Sequence, residues 1–119
     1  MGKTLIIGAS SNTERYSYLA AERLLNHGYD IEMIGSRPDV IFGQKINTEK
    51  LQFEDIDTVT LYISDKFQKE YYEYVVSLNP RRVIFNPGTE NPEFEELLIS
   101  NDIHIEESCT LVLLSTGQY

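Results

Sequence analysis

The chain has 119 residues, enough for one domain with its own core and too few for a separate catalytic domain beside a nucleotide-binding one. Composition is ordinary for a globular protein, with 41% hydrophobic and 24% charged residues, but the net charge of −9 argues against general nucleic-acid binding. A single cysteine, Cys109, excludes an internal disulfide, no apolar run approaches the ~20 residues of a membrane helix, and no basic start leads into an apolar signal run, so the chain reads as soluble and cytoplasmic.

In chain order, Thr4–Ile7 is a continuous apolar run of the kind expected in a buried central strand, stopped by Gly8. A helix is expected over Tyr16–His27, with Leu19, Ala20, Leu24 and Leu25 at helical spacing and Gly28 as C-cap. Asp30–Ile34 is the second strand, and Gly35-Ser36-Arg37-Pro38 breaks it. The irregular stretch Asp39–Asp55 holds a brief extended piece at Val40–Phe42 and one helical turn at Thr48–Leu51. Thr58–Ile63 is the third strand, rich in β-branched and aromatic residues. Ser64-Asp65 then caps a second helix whose apolar face is Phe67, Tyr71, Tyr74, Val75 and Leu78, ended by Asn79-Pro80. Arg82–Phe85 is the fourth strand, and Pro92 opens a third helix with Phe94, Leu97 and Leu98 inward. Ile103–Ile105 is the fifth strand, and a last helix follows from Ser108.

Strands alternating with helices imply an α/β fold: a single doubly wound parallel sheet, Rossmann-like, over residues 1–119. The order expected is 3-2-1-4-5, with a ligand at the switch in winding between strands 1 and 4. That places the Gly8–Tyr18 loop opposite Asn86–Thr89.

Strand, glycine turn and helix present backbone N–H groups and a positive dipole end to an anion. Yet Gly8-Ala9-Ser10-Ser11-Asn12 is neither the G-x-G-x-x-G fingerprint nor a P-loop, and an ordinary strand-to-helix turn has the same outline. Where NAD sites place an acid at the end of the second strand, this chain has Ser36-Arg37, which suits a phosphorylated ribose and so NADP or coenzyme A. Lys45 offers a second positive group. The charge distribution agrees: residues 1–50 balance six Lys/Arg against six Asp/Glu, and residues 51–119 hold four against thirteen, so a polyanion should meet the early loops.

The series Gly8-Ala9-Ser10-Ser11-Asn12 with Arg15 and Ser17-Tyr18 resembles the start of the small stand-alone CoA-binding proteins, single Rossmann-like domains similar to the CoA-binding domain of succinyl-CoA synthetase α subunits. Ser36-Arg37, Gly43-Gln44-Lys45 and Asn86-Pro87-Gly88 fit the same pattern, over essentially the whole chain. The resemblance implies that Gly8, Ala9, Ser10, Ser11 and Asn12 line a CoA pyrophosphate and that Arg15 reaches a phosphate. It implies that Ser17 and Tyr18 shape the start of the helix, that Ser36 and Arg37 meet the ribose phosphate, and that Asn86 and Gly88 border the pantetheine arm. Three departures stand out: Tyr16 in place of a common proline, Gly35-Ser36 in place of Asn-Pro, and Glu107-Ser108-Cys109-Thr110-Leu111 without the basic residues found in many relatives.

The sequence offers no catalytic constellation. Cys109 follows Glu106 and Glu107 and lacks the positive neighbours that a reactive cysteine wants, which favours a packing role. His27 sits at a helix end and His104 alternates outward between Ile103 and Ile105. No cluster has zinc spacing, and Glu93, Glu95 and Glu96 read as a solvated helix face. The expectation is a cytoplasmic protein that binds CoA or acyl-CoA. The alternatives are an NADP-dependent enzyme or sensor, and an interaction module with a vestigial nucleotide site. No nucleic-acid or membrane partner is expected.

Overall fold

The first apolar run becomes the central strand in a computed structural model describing residues 2–119. Seven strands, seen among the described residues, form one sheet of order β3-β4-β2-β1-β5-β6-β7. They are β1 (Lys3–Ala9), β2 (Ile31–Gly35), β3 (Asp39–Ile41), β4 (Gln44–Asn47), β5 (Ile56–Leu61), β6 (Arg82–Phe85) and β7 (His104–Glu107). All neighbouring strands run parallel except β3, which pairs antiparallel with β4 through Asp39–Ile46, Val40–Lys45 and Ile41–Gln44.

Period-two alternation divides the core between the two faces of the sheet. Leu5 and Ile7 of β1 point to one face with Val59, Leu61, Phe85, Phe94 and Leu98, where α2 (Tyr72–Leu78) and α3 (Pro92–Ser100) pack. Ile6 points to the other face with Met33, Ala21, Leu24 and Leu114, covered by α1 (Tyr16–Asn26) and α4 (Thr110–Ser115). The first helix ends one residue earlier than expected, with Gly28 just beyond the cap at φ +85°. His27 is the C-cap of α1 and its Nδ1 lies 2.8 Å from the Arg23 carbonyl. Asn91 caps α3 ahead of Pro92, its side chain accepting from Phe94 N at 3.3 Å. Asn79 ends α2 in the left-handed region, and His104 is exposed.

Several expectations are corrected. The strand order differs from 3-2-1-4-5: the strand expected at Thr58–Ile63 runs Ile56–Leu61 and pairs with the far side of β1, not with the outside of β2. The place beside β2 is taken by the β3–β4 hairpin, whose β4 half reads as irregular sequence but pairs Met33 with Ile46. The switch in winding therefore falls between β1 and β5. No helical turn forms at Thr48–Leu51. The segment after β5 is not one helix from Asp65; two 3₁₀ turns, Asp65–Phe67 and Lys69–Tyr71, precede the short α2. Phe67 accordingly leaves the apolar face and is 66% exposed. β1 also runs on through Gly8 to Ala9 with a shift of register between Ile7 and Ala9, and the last strand starts at His104.

A polar seam crosses the α4 side of the sheet. Thr60 and Thr110 share a hydroxyl contact of 2.8 Å, and buried Arg82 reaches Thr58 Oγ1 and Glu106 Oε2, each at 3.3 Å. The guanidinium of Arg82 also stacks on the Tyr119 ring at 4.5 Å, while the Tyr119 hydroxyl meets that of Thr4. Two phenols are held neutral by burial, Tyr62 and Tyr74, both pushed up to about 12. Their folded values exceed the unfolded one, so the stability they contribute is fully present below about pH 10 and is lost as pH rises towards about 12. The Tyr62 hydroxyl is buried without a hydrogen-bond partner among the described residues, although the Thr110 hydroxyl lies alongside. Tyr62→Phe should therefore be neutral or stabilising by up to about 1 kcal/mol and should flatten the alkaline loss. Urea unfolding at neutral pH and at about pH 11 measures both effects, and a clear destabilisation at neutral pH would show that the hydroxyl is satisfied in solution.

Candidate functional site

Three strand ends meet in a crowded floor. At Gly8 the backbone takes φ +97°, and a Cβ there would lie 2.8 Å from the Tyr62 carbonyl carbon and oxygen. At Gly35 a Cβ would lie 2.3 Å from the Ala9 carbonyl oxygen. Only glycine lets β1 approach both neighbours this closely. Above this floor lies a cleft of about 800 Å³, lined by Gly8–Asn12, Arg15, Gly35–Arg37, Tyr62, Ile63 and the exposed side of the 3₁₀ turns. A smaller cleft of about 260 Å³ continues between Gly8, Ser10 and residues 15–17 on one side and the loops Tyr62–Ser64 and Pro87–Thr89 on the other.

The loop from Ser10 is shaped by its own side chains. Ser10 Oγ accepts from Asn12 N and Asn12 Oδ1 accepts from Glu14 N, each at 3.0 Å. Such local turns fix a loop without secondary structure. Helix α1 then starts at Arg15 in extended conformation, with no side-chain cap and no acid in its first turn. Its free N–H groups and dipole make that end receptive to an anion. The Ser11 hydroxyl, and after it the Val40 amide at 2.8 Å, hold the Asp39 carboxyl below its usual range, which links the loop to the hairpin.

Charge in the large cleft is positive at one end. Lys3, Lys50, Arg81 and Arg82 are engaged in ion pairs, whereas Arg15 and Arg37 have none among the described residues. Among the described residues one acid lines the cleft, Glu70, which is 3.3 Å from Lys50, whose ammonium also lies 5.1 Å from the Tyr71 ring centroid.

The structure brings together Gly8, Ala9, Ser10, Ser11, Asn12, Arg15, Ser36 and Arg37 in the large cleft and Ser17 and Gly88 in the small one. Three residues of the expected set stand apart. Lys45 is exposed on β4 opposite Val40 and lines neither cleft. Tyr18 packs on Phe42 with ring centroids 4.9 Å apart. Asn86 is buried and committed inward: its amide donates to Thr60 Oγ1 at 2.6 Å and to the Leu61 carbonyl at 2.8 Å, and its oxygen accepts from Thr110 N at 2.8 Å. Tyr62, Ile63, Ser64, Phe67, Glu70 and Tyr71 line the clefts without having been singled out as site residues. The rule that ligands sit at the winding switch points to Tyr62–Ser64 once β5 is known to neighbour β1. Cys109 lies outside both clefts, half-buried at the N-cap of α4.

Fold and site together define a Rossmann-like α/β domain whose cleft opens at the winding switch, over a glycine floor and an uncapped helix start. The chain belongs to the CoA binding domain family, whose profile matches residues 2–115. Among solved structures it is similar to an uncharacterised protein at 50% identity and TM-score 0.97, over 100% of this chain and 98% of that one. It is also similar to a hypothetical protein from Pyrococcus horikoshii OT3, at 26% identity and TM-score 0.87 over 96% and 82%. Cell-free ID.343 from Thermus thermophilus, at 19% identity and TM-score 0.86 over 99% and 91%, shares the fold. No curated protein matches the chain. Among the described residues, no helix is long and apolar enough to cross a membrane.

Proposed function

We propose that the chain is a cytoplasmic binding protein for CoA or acyl-CoA. One observation carries the reading: two arginines without ion-pair partners among the described residues, Arg15 and Arg37, border one cleft at the switch of winding, beside a helix start with no acid in its first turn. In this reading the pyrophosphate rests on Gly8–Asn12 and Arg15, with Ser17 at the helix start. Ser36 and Arg37 meet the 3′-phosphate of the ribose, and the pantetheine arm runs into the smaller cleft between Tyr62–Ser64 and Pro87–Thr89. The site binds rather than turns over its ligand. A lone unpaired cysteine suits the reducing compartment the reading assumes.

Thermal denaturation with CoA, acetyl-CoA, dephospho-CoA, NADP and NAD tests this. A ligand at a hundred times its Kd stabilises the native state by about 2.7 kcal/mol, a rise on the order of 10 °C for a domain of this size. CoA and acetyl-CoA should give the largest shifts. A shift with NADP and none with CoA would overturn the reading, because an arginine at this position also suits a 2′-phosphate. No shift with any of them would point to an interaction module.

A further inference from the structure

The smaller cleft is bounded by two loops from neighbouring strands, Tyr62–Ser64 after β5 and Pro87–Thr89 after β6. Between Ser64 and Glu70 every residue is exposed except Gln68, which is completely buried at the junction of the two 3₁₀ turns. An apolar residue would serve packing alone. Gln68 instead donates through Nε2 to the Ile63 carbonyl at 3.0 Å and to the Thr89 carbonyl at 2.8 Å, one from each loop. Its Oε1 accepts from Asn91 Nδ2 at 2.9 Å. Asn91 is itself fixed, donating to the Tyr72 hydroxyl at 2.9 Å and capping α3 through Phe94 N. Thr89 is tied further to the Asn86 carbonyl through both its amide, at 2.9 Å, and its hydroxyl, at 2.8 Å. A single buried amide thus sets the distance between the two walls, and leaving any of these carbonyls unpaired would be costly.

We propose that Gln68 is a positioning residue: it holds the Ile63 and Thr89 loops at a fixed separation and so sets the width of the smaller cleft, without touching the ligand. That the occupant of this cleft is the pantetheine arm rests on the function proposed above. Gln68 then bears more on affinity for the arm than on the nucleotide end: of the two residues it holds, Thr89 lines the smaller cleft alone, whereas Ile63 borders both.

Two readouts test it. The first is ligand selectivity in Gln68→Met, which keeps the side-chain length and drops its hydrogen bonds. CoA should bind about tenfold more weakly, while adenosine 3′,5′-bisphosphate, which lacks the arm, should change by less than about twofold. The second is hydrogen exchange in the free protein. The Thr89 amide should exchange faster, while the Tyr62 amide, bonded to the Ile7 carbonyl at 2.8 Å, should keep its protection. General destabilisation would weaken both ligands equally or speed both amides alike, and either result overturns the proposal. Selective exchange at Thr89 in a protein that fails to bind CoA would uphold the positioning role and refute the CoA reading. Should Gln68→Met not fold, Asn91→Asp keeps the acceptor for Phe94 N and removes the donor to Gln68. It should show the same selectivity at about threefold, and equal losses for the two ligands would overturn the proposal.

Discussion

Gly8→Ala should lower stability by about 2–5 kcal/mol and weaken any ligand of the large cleft by tenfold or more. Two costs combine. A side chain at φ +97° is strained by about 1–2 kcal/mol. The new Cβ would also stand 2.8 Å from the Tyr62 carbonyl and 2.9 Å from Ile63 Cγ2, and forcing packed backbone apart typically costs about 1–3 kcal/mol. Relief requires β1 and β5 to separate at the ends that carry the site. Gly28 provides the control: it too has positive φ, +85°, but open space around it, so Gly28→Ala should cost only about 1 kcal/mol. Denaturant unfolding of the two variants compares them directly. Equal losses would show that the crowding between strand ends relaxes without consequence.

Arg37→Ala should weaken CoA by about 10–100-fold and dephospho-CoA by no more than about twofold. A charge-assisted bond to a phosphate contributes about 1.5–3 kcal/mol, and the two ligands differ only in the 3′-phosphate. Arg37 is exposed, so the difference should shrink as salt is raised. Calorimetric titration of both ligands into both proteins gives the comparison. Matching losses for the two ligands would remove Arg37 from the ribose-phosphate contact.

Much of the fold is legible in the residues because its signals are local. The run Thr4–Ile7, the helix end at His27-Gly28 and the proline at the start of α3 each report on a few neighbours. The order of the strands is a long-range property, and one weak element decides it. The β3–β4 hairpin is short, its Val40 is 61% exposed, and its turn places Phe42 at φ 52°, where glycine or asparagine would be the usual sign. Missing β4 leaves a vacant edge beside β2, to which the strand expected at Thr58–Ile63 is then wrongly assigned. The same error hides half the site. Gly8–Arg15 and Ser36–Arg37 carry their chemistry in their own sequence, whereas Tyr62–Ser64 becomes part of the cleft only because β5 neighbours β1. Asn86 shows the converse: the family resemblance implies a place beside the pantetheine arm, whereas its side chain bonds Thr60 of β5 and the Thr110 amide of α4.

The glycine floor separates what is fixed in this site from what is free to vary. Where Gly8 meets Tyr62 and Gly35 meets Ala9, the surface under the cleft is largely main chain, with no room for a side chain to be added. Substitution can therefore remodel only the surroundings: the arginines, the aromatic rim at Phe67 and Tyr71, and the loops held by Gln68. Domains of this architecture can diverge widely in their walls while the geometry beneath stays constant. A change of ligand preference should accordingly map to the rim, and loss of binding altogether to the floor.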